Sequence, residues 1–299
     1  MKSKWVLIVV FFCGIFIGNP AWAFDWDFHG SLGDGPGKHK RYVPPIANPL
    51  FNETPYITTE ARLIHQYTDI SSSWASTGGV INLYALELRL ALTERLGIFA
   101  SKDGYANANF KAALDDEDGF ANVAIGFKYA IHSDPKENSI LTLGMKYEIP
   151  IGTLVSSGIR LQGAGSGFLD FFVTGSKAYG KLGLQGSLGP NFALDGDHDS
   201  SLFHYSATAN YEVLPKFFPT VELNGYATIS NGNRTAGDYE GLDILNFGTT
   251  DSGHVALIAT GARYLVTDSI SIGANYEFPI TDREDYVDWR THLDLIITF

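Results

Sequence analysis

The residues best placed to do chemistry are charges spaced two apart. Glu60 and Arg62 form such a pair, as do Glu87 and Arg89, Lys146 and Glu148, and the triplet Arg290, His292 and Asp294. Lys128, Glu222, Arg263 and Glu277 stand in stretches with the same rhythm. A period of two is that of a β-strand, whose successive side chains point to opposite faces. In each stretch the residues between the charges are mainly apolar and belong on the other face. If the charged faces converge on one narrow interior, their opposed signs create a field that selects among solutes. The same pairs also satisfy one another where bulk water cannot enter. Nucleophilic chemistry finds less support. Ser230 has Thr228 two residues before it, and His204, His254 and His292 are remote in sequence, so no local Ser–His pairing is visible. The chain is read as a non-enzyme.

Oxygen ligands cluster at Asp115 to Asp118, at Asp195, Asp197 and Asp199, at Asp238, Glu240 and Asp243, and at Asp282, Glu284 and Asp285. The Asp195/Asp197/Asp199 spacing imitates the start of an EF-hand. Ser200 stands where its turn glycine belongs and Ser206 where its bidentate glutamate belongs, so a true EF-hand is rejected. These segments read as a solvated acidic rim that repels anions, with no assigned metal or cofactor. Gly33 to Lys38 glances at a phosphate loop. Leu32 replaces its first glycine, His39 replaces its Ser/Thr, and no strand–helix context follows.

The elements that must position these residues are long alternating strands. From Ile270 to Ile280 every second residue is apolar, and the pattern resumes as Val287, Trp289, Thr291, Leu293, Leu295, Ile297 and Phe299. Ala121 to Ile131, Leu141 to Ile151 and Phe203 to Val213 alternate as cleanly. Looser runs cover 58–69, 96–107, 169–179, 181–194, 217–230 and 254–266. Leu83 to Leu96 is rich in helix formers, but its alternation over 80–92 favours a strand. The total is about twelve strands. Short connections alternate with long ones, and the apolar face carries tyrosines. This is the pattern of a transmembrane antiparallel β-barrel with long loops outside, rather than of a soluble sandwich. The inward faces are mostly polar, with Phe172, Phe218 and Tyr226 as exceptions. Gly144–Ile151 resembles Gly273–Ile280, either through a duplicated hairpin or half-barrel or because barrel strands converge on similar patterns; on the duplication reading Glu148 and Glu277 stand at equivalent inward heights.

The ends complete the organisation. Lys2 and Lys4 precede an apolar run from Trp5 to Ile17, and Ala21-Trp22-Ala23 fits a cleavage site, so residues 1–23 are expected to be a secretory signal. Without them 276 of the 299 residues remain and the formal charge falls from −12 to −14, which argues against nucleic acid. Cys13 is the only cysteine and lies in that run, so disulfides and thiolate chemistry are excluded from the mature chain. Residues 24–57 are rich in Gly and Pro without a sustained period. They form either a periplasmic tail or a plug in the lumen, and Tyr42, Val43, Ile46, Leu50 and Phe51 favour the plug. Lys38 to Arg41 reads as a tether to an acidic lumen or to lipid headgroups. Residues 58–299 are assigned to the barrel.

With these features read, the chain resembles a group of bacterial outer-membrane barrels catalogued under a meta-pathway of phenol degradation, related in kind to long-chain fatty acid transporters. The resemblance rests on the signal, on Asn48 to Pro55, on Leu90 to Leu96 with Ser101 to Tyr105, on the repeated Tyr-Glu-x-Pro and on Phe299. It implies an outer-membrane channel for small solutes, hydrophobic or aromatic ones included. It also implies outer-membrane lipids as surroundings, an N-terminal hatch, and a C-terminal strand recognised by the barrel-assembly machinery. Ser230-Asn231-Gly232 is similar to a motif of outer-membrane phospholipases, which carry a histidine where Thr228 stands. The alternatives to a channel are a lipid hydrolase using Ser230, and a structural or adhesive barrel whose acidic loops bind divalent ions.

Overall fold

The computed structural model describes residues 39, 41–102, 104–235, 241–249, 253–282 and 285–299. The expected signal and the Gly33 to Lys38 stretch lie outside these residues. Among the described residues, sixteen strands follow in order. They are β1 (Glu60–Ile70), β2 (Gly79–Ala91), β3 (Leu96–Ser101), β4 (Gly104–Phe110), β5 (Glu117–Phe120), β6 (Val123–Asp134), β7 (Ser139–Ile149) and β8 (Val155–Ser156). Then come β9 (Ile159–Arg160), β10 (Phe168–Tyr179), β11 (Leu182–Ala193), β12 (Ser201–Tyr211), β13 (Phe217–Ser230), β14 (His254–Leu265), β15 (Ile270–Pro279) and β16 (Val287–Thr298).

Fourteen strands make one antiparallel sheet that closes on itself, because β1 pairs with both β16 and β2. β3 with β4, and β5 with β6, each continue a single stave, so the wall has twelve staves. β8 and β9 form a small ribbon in the loop between β7 and β10. Alternation sets the register. Leu63, Tyr84, Leu86, Leu88, Phe127, Leu143, Val221, Tyr276 and Leu293 point out and are exposed, while Ile64, Glu87, Arg89, Lys128, Glu222 and Asp294 point in and are buried. A closed wall leaves no unpaired backbone edge, and a continuous apolar outer face is covered only by lipid. Tyr179, Tyr211 and Tyr264 ring the short-turn rim, and Tyr147, Phe171, Phe192, Tyr276 and Trp289 ring the long-loop rim, as interfacial aromatics do. The chain is an outer-membrane β-barrel.

The strand expected over 96–107 is broken in two, as β3 and β4, and the strand expected from Ala121 starts at Val123 with the short β5 ahead of it. Lys102 takes a left-handed φ of 61°. Beyond it β4 leaves β6 and pairs with β5. Gln162 of the long loop stitches the gap, accepting from the Asn122 backbone N–H at 2.7 Å. Alternation continues through both halves, so the break leaves no mark on the period. The stretch from Leu83 is a strand as far as Ala91, because each inward residue there meets a partner on β1.

Candidate functional site

The barrel interior is the candidate site, and it has two tiers. The tier nearer the short-turn rim is ionic. Register places Glu60 opposite Arg89 and Arg62 opposite Glu87 across β1 and β2, with Asp294 of β16 opposite Ile64 on the other side. Arg62 reaches Asp294 at 2.6 Å and Glu87 at 3.4 Å. Arg263 of β14 reaches the same Asp294 at 2.7 Å. Arg89 meets Glu60 at 2.9 Å and Glu87 at 3.2 Å. Higher up, toward the long-loop ends of their strands, Arg290 pairs with Glu277 and Lys146 meets Asp170 at 3.2 Å. Glu148 takes Lys102 at 2.7 Å. His292 bonds Asn275 at 2.8 Å. Single buried charges would cost several kcal/mol each; neutralised and hydrogen-bonded in a network, they are tolerated.

Residues 41–57 thread through this tier. Ile46, Ala47 and Asn48 are fully buried. The backbone N–H groups of Ile46 and Ala47 donate to the Glu222 carboxylate at 3.0 and 3.1 Å. Arg62 and Arg263 donate to the Pro45 and Pro44 carbonyls, both at 3.0 Å. Glu53 is gripped by Arg89 at 2.9 Å and Lys128 at 2.7 Å. Thr174 of β10 and Thr142 of β7 donate to the Glu53 and Pro55 carbonyls, each at 2.6 Å. Phe51 stacks on His204 at 4.4 Å, beneath the Lys146 ammonium at 4.8 Å. Pro44, Pro45 and Pro49 carry no N–H, and their carbonyls are free to meet arginines. Inside the Pro-rich segment the Phe51 and Asn52 N–H groups donate to the Asn48 carbonyl in a turn, and its other polar groups find partners on strands round the barrel.

The tier nearer the long-loop rim sets an apolar cluster among those upper ion pairs. A strap, residues 241–249 of the loop between β13 and β14, folds inward. Leu242, Ile244, Leu245 and Phe247 pack in one cluster with Leu50 and Phe51 of the threaded segment, with Ile70, Ile81, Leu257 and Val287 of the wall, and with Trp74 and Tyr286. Asp243 anchors the strap to Arg290 at 2.8 Å and accepts from the Tyr286 hydroxyl at 3.2 Å. Between strap, threaded segment and wall lies a cavity of about 40 Å³, bordered by Leu50, Ile64, Leu83, Ala85, Ala121 and Ile244 and also by Gln66, Glu87, Lys102, Gln162 and Asp243.

A family model described as "Putative MetA-pathway of phenol degradation" matches residues 70–286. The chain belongs to this family. Among solved structures, this phenol-degradation family barrel is similar to an outer membrane channel from Pseudomonas putida F1. The identity is 15%, the TM-score 0.62, and the overlap covers 86% of this chain and all of the other. It is also similar to the NanC porin, at 10% identity and a TM-score of 0.50, over 81% of this chain and 99% of the other. No curated protein matches it. The match to the family begins at the end of β1, so the threaded segment falls outside it.

All the wall residues singled out from the sequence point inward in the family barrel, but they do not form one group. Glu60, Arg62, Glu87, Arg89, Lys128, Arg263 and Asp294 surround the threaded segment. Glu222 and His292 bond to it or beside it. Arg290 and Glu277 lie higher, beneath the strap, and Lys146 and Glu148 lie on β7 facing Asp170 and Lys102. Three residues of the expected solvated rim, Asp199, Asp243 and Asp285, are instead buried. Asp243 is 4% exposed on Arg290, and Asp199 is fully buried, accepting from the Ala164 N–H at 2.7 Å and pairing with Arg234 at 3.1 Å. Asp199 is thus held apart from the EF-hand-like array. The histidines weighed as bases are engaged elsewhere: His204 with Asp170 at 2.8 Å, His254 with the Tyr205 hydroxyl at 2.6 Å. Glu53, Lys102, Asp170 and Asp243 were missed as members of the network. Asp170 had a usable signal, since it sits two residues before inward Phe172. Arg41, expected as part of a basic tether, bonds Asn210 at 2.6 Å and lies over the Phe218 ring at 5.1 Å.

Proposed function

We propose that this barrel is a passive outer-membrane channel, non-enzymatic, for small and mainly apolar solutes, plugged at rest by residues 41–57 and covered by the strap. The observation that carries this reading is the apolar cluster of the upper tier. A water-filled pore presents polar side chains along its lumen. Here the strap, Trp74 and Leu257 pack as an apolar cluster above the cavity beside Leu50 and Ile64, with the Asp243–Arg290 pair at its edge. A cavity of about 40 Å³ holds little more than a water molecule or two, so the state described is closed and passage requires strap and plug to shift. The likeness in fold to the Pseudomonas putida outer membrane channel is consistent with this role. Uptake of radiolabelled toluene and sucrose by cells whose outer membrane does or does not contain the full chain tests it. Faster toluene uptake with unchanged sucrose uptake is expected. Faster sucrose uptake without a toluene effect, or no effect on either, removes the reading.

A further inference from the structure

The strap's Asp243 occupies a carboxylate receptor that the barrel wall completes without it. Arg290 Nη1 donates to both oxygens of Asp243, at 3.1 and 2.8 Å, while its Nε is held by Glu277. The Tyr286 hydroxyl donates to Asp243 at 3.2 Å. Arg290 and Tyr286 are fully buried and Tyr226 is 2% exposed. Neither Arg290 Nη2 nor the Tyr226 hydroxyl makes a well-formed hydrogen bond among the described residues. The receptor therefore holds more donors than Asp243 uses. Asp243 also borders the apolar cavity, so a carboxylate seated here has a carbon-lined space beside it.

Charge decides what can replace Asp243. When the strap withdraws, Arg290 keeps Glu277 but loses its second carboxylate, and the Tyr286 hydroxyl loses its acceptor. Leaving buried donors unpaired is costly. A neutral solute does not cure that loss, and a cation adds to the positive charge already there. A carboxylate restores both contacts and leaves the buried charge unchanged. Deepening the proposed channel function, on which this inference rests, we infer that Arg290, Tyr286 and Tyr226 form a binding site for the carboxylate of a small monocarboxylic acid whose apolar body fills the space vacated by Ile244 and the cavity beside Leu83 and Ala85. Asp243 is its tethered stand-in, and the solute enters by exchanging one carboxylate for another.

A tethered competitor lowers the apparent affinity by the fraction of time it leaves the site open. Equilibrium binding of benzoate, benzyl alcohol and benzylamine to the detergent-solubilised full chain at neutral pH tests the site. Asp243→Ala is expected to tighten benzoate by about tenfold or more while leaving benzyl alcohol and benzylamine unchanged. Adding Tyr286→Phe to Asp243→Ala is expected to reverse several-fold of that gain for benzoate alone. This second change removes one hydroxyl and spares Arg290, whose loss endangers folding. Equal tightening of benzoate and benzyl alcohol means that a loosened strap merely opens the cavity, and it overturns the inference. So does tightening of benzylamine, or no change in benzoate. None of these results touches the channel reading, which stands or falls on toluene uptake.

Discussion

Glu53 is the only acid between Arg41 and Ile57, and it is spent on the wall. Burial alone would raise its pKa, but Arg89 and Lys128 override that and hold it well below the usual carboxylate range. Glu53→Gln removes the shared counter-charge of two buried cations. Breaking one partner out of a buried pair costs about 3–5 kcal/mol. Arg89 retains Glu60 and Glu87, so the lower end applies. The wall is tied by its own ladder, so the loss falls on the seat of the threaded segment. Planar-bilayer recordings should show frequent openings in Glu53→Gln and a quiet wild type; equally quiet traces would remove Glu53 as a latch. The sign of the pH dependence follows. A lowered carboxyl pKa stabilises the seated state at every pH above the free value of 4.5, and that stability is lost as pH falls through the depressed value. Wild-type conductance should therefore stay flat from about pH 8 to about pH 5 and rise only in stronger acid. A rise already between neutrality and about pH 5 would mean that a group other than Glu53 sets the pH dependence of the seat.

At the scale of elements, period-two patterning carried most of the fold, and its failures have physical causes. β16 was legible because Trp289, Thr291, Leu293, Leu295 and Ile297 face lipid while Arg290, His292 and Asp294 face the lumen. The break at Lys102 was not legible, because β3 and β4 each alternate and a change of pairing partner has no period. The burial of Asp243 was equally hidden. An acidic residue in a Gly-containing loop looks solvated until the loop folds inward onto an arginine that is distant in sequence. Glycines inside strands mark close approaches that the period also conceals. A Cβ on Gly144 would collide with the ring of Phe172, its cross-strand partner on β10. The far end of the ring sits over the glycine, and the ring meets Phe99 edge-on at 6.0 Å. Gly144→Ala should push Phe172 off this seat and destabilise the barrel by about 1–3 kcal/mol, the usual cost of overpacking. A lower urea midpoint for Gly144→Ala, partly restored by Phe172→Leu in the same chain, is the expected result. An unchanged midpoint would mean that the strand pair opens without cost.

At the scale of the whole molecule, the two closures are tied together by one hydrogen-bonded chain. It runs from Asp243 of the strap to Arg290, then to Glu277, which accepts from Asn224 Nδ2 at 2.7 Å. Asn224 in turn accepts from the Ser206 hydroxyl at 2.7 Å, and Ser206 accepts from Asn48 of the threaded segment at 3.3 Å. Strap and segment also share apolar contacts, since Ile244 and Leu50 belong to one cluster. Each closure therefore has part of its seat built from the other. If the strap leaves, Arg290 keeps Glu277 but loses Asp243, and any shift of its guanidinium passes through Glu277 and Asn224 to the chain that positions Asn48. Spatial continuity alone does not show coupling; a double-mutant cycle does. Asp243→Ala loosens the strap and Glu53→Gln loosens the segment, and the two residues share no contact. Independent gates would give open probabilities in the double variant that multiply from the single ones. Coupled gates should open more than that, by a free energy of about 0.5–2 kcal/mol. Adding Asn224→Ala, which cuts the chain between them, should bring the cycle back toward independence. If the cycle is additive with Asn224 intact, the two closures move separately, and the chain serves only to satisfy buried polar groups.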